Sequence, residues 1–169
     1  MKKFLALVLA LAVVCSFGIT AFAAGSPVAP IYTEKTTSEF PVPEVAGLDI
    51  FKIADDTFVA TIPAEDVVLL SVGNADDLSD EDKAAFLKAY DDVKAIEDEI
   101  VNYFFWLGVK EGVEVKEDEY VKFPFNCQGE NVKVTVNGEE MEVVATEEAN
   151  SYYAKLVKLG AVAICSDAE

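Results

Sequence analysis

The chain of 169 residues contains no histidine and no arginine, so lysine is its only basic residue. Without histidine, the Ser-His-Asp and Cys-His arrangements of nucleophilic catalysis are unavailable, and general-base chemistry is left to carboxylates, lysine or tyrosine. A glycosidase needs only two carboxylates, so a small carboxylate-based hydrolase is an alternative function. The composition favours a protein that is not an enzyme, with no catalytic residue, no cofactor and no bound metal.

Basic residues are also few: 13 lysines stand against 31 acidic residues, and the net charge is −18. All acidic residues lie beyond residue 23, whereas Lys2 and Lys3 precede it, so the part after residue 23 carries −20. Such a surface repels phosphates and anionic lipids. We therefore expect no nucleic-acid partner, and no membrane partner once the N-terminal leader has been removed.

The longest apolar run lies at the N-terminus. Residues 1–3 form a short basic region with two lysines, residues 4–19 are almost entirely apolar, and Ala21-Phe22-Ala23 supplies the small-x-small pattern that signal peptidase recognises. Residues 1–23 are therefore predicted to be a secretory signal peptide, and the mature protein is expected to be secreted, either released or associated with the cell surface. A retained N-terminal anchor and lipidation at Cys15 are the alternatives.

Cysteine is rare, and only Cys127 and Cys165 remain after the leader. An even number of cysteines in an exported chain indicates a disulfide, so we expect these two to be bonded to each other. The alternative is a pair of buried free thiols, since a free cysteine packs as a small apolar side chain.

Four of the six prolines fall within residues 24–46, together with several threonines, and this composition predicts an extended arm or linker. Residues 47–169 are expected to form a single α+β domain. Within it, residues 47–72 are rich in β-forming side chains. Two such runs, residues 50–53 and 57–62, surround a short acidic turn and predict a hairpin.

A helix is predicted over residues 79–107. Ser79 is a suitable N-cap, and the acidic residues that follow it favour the positive end of the helix dipole. Apolar residues then recur at helical spacing: Ala89, Val93, Ile96, Ile100 and Tyr103. Residues 101–107 stay open, because their aromatic side chains favour a strand while the continuing stripe favours a helix. The acidic group in residues 74–82 lacks the spacing of a calcium loop, and helix capping with solvation explains it.

Residues 120–165 are predicted to form a β-sheet. Asn137-Gly138 is a strong signal for a two-residue hairpin turn, since both of its central positions require positive φ. That turn sets the register of the hairpin: Val136 opposite Glu139, Val134 opposite Met141, Val132 opposite Val143, and Lys133 opposite Glu142.

The order of a β-rich start, a capped helix and strands at 120–127, 132–144 and 152–164 resembles the Ig-like β-sandwich modules of secreted and surface proteins of Gram-positive bacteria. The resemblance implies an α+β fold, mainly an antiparallel β-sandwich, carrying one long amphipathic helix. It also implies a stalk, spacer or adhesive role and provides no catalytic residues. The chain departs from the pattern in having no tryptophan in its C-terminal strands.

Three aromatic residues are candidates for ligand binding: Trp106, Tyr152 and Tyr153. Exposed rings of this kind can stack on sugars, whereas packing in the core is the alternative for a small domain. We expect an exported, non-catalytic structural or binding module whose partner is an extracellular protein or glycan. Carbohydrate binding through the aromatic residues is the second function considered.

Overall fold

The computed structural model describes residues 40–167. The predicted signal peptide (residues 1–23) and residues 24–39 of the predicted arm lie outside the described residues. Within residues 40–167 the chain forms nine strands, one α-helix and two 3₁₀ helices, Ala64–Asp66 and Val72–Asp77. In chain order the main elements are β1 Gly47–Lys52, β2 Phe58–Pro63, β3 Val67–Leu70, α1 Asp80–Lys94, β4 Glu99–Val109, β5 Glu119–Asn126, β6 Lys133–Val136, β7 Glu139–Ala145, β8 Ser151–Leu156 and β9 Gly160–Asp167.

All nine strands belong to one sheet in the order β2-β1-β5-β8-β7-β6-β9-β4-β3, and every neighbouring pair is antiparallel. The two edge strands, β2 and β3, are joined by only three residues, and the sheet is nearly closed. The predicted α+β class with a mainly antiparallel sheet is therefore confirmed. The division of the strands into the two layers of an Ig-like sandwich is not confirmed.

The main core lies inside this curved sheet. Strand β5 shows why: Val121, Phe123 and Phe125 alternate with Lys122 and Pro124, and the apolar set is buried. Successive side chains of a strand point to opposite faces, so the alternation places one face in the core and leaves the other outside. The same alternation in the other strands completes the core with residues such as Leu48, Ile62, Phe105, Val134, Leu156 and Ile164.

The helix is shorter than the predicted range of residues 79–107, because α1 ends at Lys94 and β4 begins at Glu99. Strand β4 is covered on both faces: Phe105 lies in the main core, whereas Phe104 packs beneath α1. A strand buried on both faces lacks the alternation of polar and apolar residues, so its sequence also fits helical spacing. The predicted N-cap is confirmed, since the Ser79 hydroxyl accepts the Asp82 N–H at 3.2 Å.

The hairpin at Asn137-Gly138 is confirmed. Both turn residues have positive φ, 52° and 80°, and the register pairs Val136 with Glu139 and Val134 with Met141. The chain therefore follows the predicted register for as long as β6 and β7 remain paired.

The attractive charge pair predicted between Lys133 and Glu142 across the hairpin is not formed. The Lys133 ammonium binds Glu99, while Glu142 binds Lys155 at 3.2 Å. Strand β6 has only four residues, and its other edge pairs with β9, which brings Lys133 close to the start of β4. Each charged residue therefore binds a partner on a strand other than the one that the hairpin predicted.

The described end of the predicted arm, residues 40–46, lies on the core and does not extend away from it. The Phe40 ring packs edge-on against Tyr90 and Phe104, with centroids 6.1 and 6.3 Å apart. Val42 and Val45 contact the main core. The packed part of the chain therefore begins before residue 47, whereas the sequence predicts that the domain begins at residue 47. None of the helices in the described part of the chain has the length and apolar content needed to cross a membrane.

Candidate functional site

The outer side of the sheet differs between its two halves. Over β4 and β9 the outer side is covered by α1. The Phe86 ring of the helix stacks on Phe104 at 5.2 Å and meets Trp106 edge-on at 5.7 Å. Ala161 and Ala163 on β9 lie in the same cluster, and their small side chains allow the helix to approach closely. This half is a second hydrophobic core.

Over β2, β1, β5 and β8 the outer side has no covering helix in the described structure. We call this surface the aromatic face. It is formed by outward side chains of these strands, by the residue that follows β1 and by the residue that follows β8. Its members are Phe51, Ile53, Phe58, Tyr120, Lys122, Tyr153, Lys155 and Val157.

Three rings of the aromatic face form a continuous row across neighbouring strands. The Phe58 ring of β2 meets Phe51 of β1 edge-on at 5.7 Å, and Phe51 stacks on Tyr120 of β5 at 5.5 Å. These are cross-strand contacts between directly paired residues, which are the contacts that most stabilise a sheet. The row is therefore held in place by the strand register.

Two lysines lie over these rings. The Lys122 ammonium is 4.3 Å from the Tyr153 centroid and 5.8 Å from that of Phe51. The Lys155 ammonium is 5.3 Å from the Tyr120 centroid. Cations at these distances are attracted by the negative faces of aromatic rings. The aromatic face therefore places positive charge on the outside of a strongly acidic protein.

A polar group anchors one end of the row. The Tyr120 hydroxyl donates to Asp56 Oδ1 at 3.0 Å, and the Lys155 ammonium donates to the same oxygen at 3.1 Å. Burial, followed by the hydrogen bond to Asp56, raises the pKa of Tyr120 to about 12. The hydrogen bond to Asp56 raises the pKa of Lys155, and the bonds from Lys155 and Tyr120 lower the pKa of Asp56. Each group is thereby held in its ordinary protonation state.

Beside this anchor the aromatic face exposes large apolar side chains. The exposed fraction is 54% for Phe58, 48% for Ile53 and 47% for Val157. Ile53, Tyr120 and Val157 also line a cleft of about 230 Å³, together with Lys155 and Glu142. The face thus combines fixed rings, exposed apolar side chains and paired charges.

A buried carboxylate supports the aromatic face from β5. Glu119 is only 3% exposed, and its carboxylate accepts the Lys116 N–H at 3.1 Å and a bond from the Lys52 ammonium at 3.2 Å. The bond from Lys116, which outweighs the effect of desolvation, and the bond from Lys52 lower the pKa of Glu119. The carboxylate therefore ties the end of β1 to β5 beside Phe51 and Tyr120.

The structure does not bring the three predicted binding aromatics together. Trp106 is half-buried under α1, in contact with Phe86. Tyr152 stacks on Phe125 at 5.7 Å and packs against the main core. Of the three, only Tyr153 belongs to the aromatic face. Neighbouring residues of one strand point to opposite faces, which separates Tyr152 from Tyr153.

The sequence contained signals for the residues that were missed. In β1, Leu48 and Ile50 form the inward set, so Phe51 and Asp49 must point outward. Tyr120 precedes the inward series that starts at Val121, which likewise places it outside. Only the order of the strands, which no local pattern indicates, brings these outward residues side by side.

The two cysteines are free and buried in the structure. Cys127 lies in the main core and Cys165 in the cluster beneath α1. Burial raises the pKa of both thiols, that of Cys165 to about 11. The disulfide stays a prediction. Thiol labelling of the denatured, unreduced protein tests it, because a bonded pair leaves no thiol to label.

The acidic group before and within α1 stabilises the helix. The Asp76 carboxylate binds Lys83, and the Ser79 hydroxyl donates to Asp82 Oδ2 at 2.8 Å. Among residues 40–167, no group of three or more potential metal ligands is close enough to hold a metal ion. The roles that the sequence assigned to these acids, capping and solvation, agree with the contacts of Ser79 and Lys83.

A second cleft, of about 360 Å³, lies between α1 and strands β6 and β9. Ala89, Val93 and Ala163 give it apolar walls, and three of its polar side chains are already engaged. The Asn137 side chain accepts the Ala161 N–H at 2.9 Å, and Lys88 binds Asp92 at 2.9 Å. These contacts hold the hairpin turn and the helix, and they leave the aromatic face as the stronger candidate site.

Comparisons of the chain with protein-family models, with curated proteins and with solved structures found no match.

Proposed function

We propose that the protein is an exported, non-catalytic binding module that recognises a protein partner through the aromatic face. The observation that carries the proposal is the contrast between the two halves of the outer side, one covered by α1 and the other exposing Phe58, Ile53 and Val157 around a fixed row of rings. Contiguous apolar patches on a protein surface mark interaction sites, whereas scattered single residues do not. Aromatic rings held rigidly lose little conformational entropy on binding, and this is why they dominate interface energies.

The groups whose pKa is shifted are poorly suited to acid–base catalysis. The pKa is lowered for every described carboxyl group whose shift is resolved: Asp55, Asp56, Asp76, Asp118 and Glu119. A glycosidase requires the opposite for its general acid, a carboxyl group that keeps its proton near neutral pH. Tyr120 and Lys155, both with raised pKa, hold their protons too firmly to act as bases.

Site-specific photo-crosslinking tests the proposal. Phe58→p-benzoylphenylalanine places a crosslinker on the aromatic face, and Leu87→p-benzoylphenylalanine places one on the exposed side of α1, where Leu87 is 37% exposed. Both proteins are incubated with the culture fluid and the cell-envelope fraction of the producing organism. We expect a crosslinked protein at position 58 that excess wild-type protein abolishes, and none at position 87.

Competition with a variant provides the specificity control. Unlabelled protein carrying Ile53→Ser and Val157→Ser should fail to abolish the crosslink at position 58, since it lacks exposed apolar contacts of the face. Protease treatment of the fraction should remove the crosslinked species. Equal crosslinking at positions 58 and 87, or competition by the double variant at the wild-type concentration, would contradict the proposal.

Glycan binding is a second candidate, favoured by one feature of the same surface. The rings of Phe51 and Tyr153 flank Lys122, and the Thr61 hydroxyl donates to Asp49 Oδ1 at 2.7 Å on the neighbouring strands. Rings next to hydroxyl and carboxylate groups are the usual components of a sugar site. Binding on a glycan array that is lost with Tyr153→Ala and retained with Trp106→Phe would support it.

Export and an Ig-like arrangement belong to the proposal as well. Export is supported by the leader pattern in residues 1–23 and is tested by N-terminal sequencing of protein from culture fluid. The Ig-like arrangement would be supported by an experimental structure that groups β1, β2, β5 and β8 in one layer and β3, β4, β6 and β9 in another. A structure in which these strands form one continuous ring would contradict it.

A further inference from the structure

The outer side of strand β2 is a second exposed surface next to the aromatic face. Strand β2 lies at one end of the sheet order and pairs with β1, and no other described strand pairs with its outer side. Its residues from Phe58 to Thr61 are exposed. The other edge strand, β3, differs, because all four of its residues are half-buried.

The hydrogen-bond pattern shows which groups of β2 face outward. The Ile53 N–H donates to Asp118 in front of β5, and the Lys52 N–H donates to Thr57 in front of β2. Even-numbered residues of β1 therefore bond to β2, which makes Ile50–Ala60 and Leu48–Ile62 the hydrogen-bonded pairs. Thr61 lies between these pairs, so its N–H and C=O point away from β1.

The strand has a bulge and a proline, which protect an edge from pairing, but it has no charged residue and leaves one position open between them. Residues 58–62 hold no charge, and they include the β-forming residues Phe58, Val59, Thr61 and Ile62. Edges are usually protected by lysine, proline or a bulge. Here Val59 lies at a bulge opposite β1, and Pro63 ends the strand, but Thr61 between them is open. An added strand can pair with this open part.

Charge at the two ends of β2 selects the partner. Asp55 and Asp56 precede the strand, and Glu65 and Asp66 follow it. Asp56 is paired with Lys155, and Asp66 lies 3.9 Å from Lys110, while Asp55 and Glu65 are exposed. In a chain of net charge −18, an uncharged strand with an acid at each end fits a segment that has a basic residue at each end.

The same charges argue against a second copy of this chain. Antiparallel pairing of β2 with its own copy would place the Asp55 end of one strand against the Glu65 end of the other. Like charges in close contact weaken such an interface, and both ends would carry them. A cationic partner has no such penalty.

We propose that the outer edge of β2 accepts an extended segment of a partner protein, with alternating β-forming residues and a lysine or arginine at each end, as an additional antiparallel strand. This inference rests on the proposed binding function and names the partner's chemistry. The partner's backbone pairs with Thr61, and its basic ends meet Asp55 and Glu65. A six-residue strand spans roughly 20 Å, so a peptide of seven residues reaches both ends.

Two synthetic peptides with blocked ends test the charge requirement: Lys-Val-Thr-Val-Thr-Val-Lys and Glu-Val-Thr-Val-Thr-Val-Glu. At low salt we expect the lysine peptide to bind the full chain at least about tenfold more tightly than the glutamate peptide, with the difference falling as salt is raised. Equal affinities of the two peptides at low salt would overturn the charge argument.

Variants at position 61 test the backbone pairing. Thr61→Pro removes the outward N–H and leaves the bonds of Ala60 and Ile62 to β1 in place, so affinity for the lysine peptide should fall about tenfold or more. Thr61→Val removes the hydroxyl and keeps the N–H, so affinity should stay within about twofold. Equal binding by the two variants would contradict strand addition.

Amide hydrogen exchange on the wild-type protein tests the backbone pairing at Thr61 without a substitution. The Thr61 amide should exchange rapidly in the free protein and slow about tenfold or more with the lysine peptide. Protection of Thr61 that grows with protein concentration alone would identify a second copy as the occupant. Protection in the dilute free protein would show that the chain covers its own edge. Either result overturns the proposal, whereas a crosslink at position 58 would still support the binding function.

Discussion

Aromatic side chains differ in exposure between the two halves of the sheet. One half lies beneath α1, and the other carries the aromatic face. Under the helix, Phe86 and Phe104 are buried, and the half-buried Trp106 packs against Phe86. On the other half, Phe51, Phe58 and Tyr120 form an equally ordered row whose outer end, Phe58, is exposed. Burial thus explains the first cluster as stabilising the fold. The second is ordered while one end of it, Phe58, stays exposed, which is the property of a preorganised binding surface.

The two halves also differ in the contacts that hold their aromatic rings in place. Beneath α1 the rings are fixed by close packing against small residues such as Ala161. On the aromatic face they are fixed by strand register and by charges, Lys122 over two rings and Asp56 at the Tyr120 hydroxyl. Removing a packed ring should therefore cost much stability, while changes on the aromatic face should cost less and affect binding more.

The largest effect is expected from Phe86→Ala. The side chain is fully buried and contacts two aromatic rings, so its removal should lower the free energy of unfolding by about 3–5 kcal/mol. Phe58→Ala, the matched change on the aromatic face, should cost less than about 1 kcal/mol. Urea unfolding of the two variants measures both values. Equal losses would remove the distinction between the two halves.

A smaller effect, dependent on pH, is expected from Glu119→Gln. The pKa of Glu119 is below its ordinary value of 4.5, so the ionised carboxylate stabilises the fold above that value and the stabilisation is lost as the pH falls through the lowered pKa. At pH 7 the variant should be less stable than the wild type, because two charge-assisted bonds are weakened. The loss should shrink toward pH 3.

Urea unfolding between pH 7 and pH 3 measures this dependence. Glu117→Gln is the control. Glu117 is exposed, and its substitution changes the charge by the same amount two residues away from Glu119. A Glu119→Gln variant whose stability falls with pH as steeply as that of the wild type would show that the carboxylate is not the stabilising group.

The smallest of these effects is expected from Lys122→Gln. The ammonium over Tyr153 and Phe51 contributes about 0.5–1 kcal/mol at an exposed site, and its loss should lower stability by that amount. Thermal unfolding at low and high salt measures it. Lys88→Gln, which removes a charge from an exposed helical pair with Asp92, is the control and should cost about 0.3–0.5 kcal/mol.

Local patterns in the sequence predicted much of the fold. The Ser79 cap, the turn at Asn137-Gly138 and the alternation of β5 all depend on neighbours within a few residues, and each was found where expected. The end of the helix was not found where expected, because β4 is buried on both faces and its apolar residues fit the spacing of a helix as well as that of a strand. Lys133 was assigned the wrong partner because β9 pairs with the other edge of β6.

The candidate site could be predicted only in part. Tyr153 was selected for its aromatic ring, and the same reasoning selected Trp106 and Tyr152, which pack elsewhere. The rest of the aromatic face comes from strands that are distant in sequence and adjacent in the sheet: β1 pairs with β5, some seventy residues further along the chain. Such pairings depend on the whole topology, which hydrophobic patterns of single segments do not determine.

A competition titration with two matched triple variants tests the central claim most directly. One carries Ile53→Ser, Phe58→Ser and Val157→Ser on the aromatic face; the other carries Leu87→Ser, Ile96→Ser and Ile100→Ser, three apolar residues exposed elsewhere. Each competes against the crosslink formed at position 58. The aromatic-face variant should need at least about tenfold more protein than the wild type, and the other variant no more than about twofold more. Equal concentrations for the two variants would contradict the claim that the uncovered half of the sheet binds a partner.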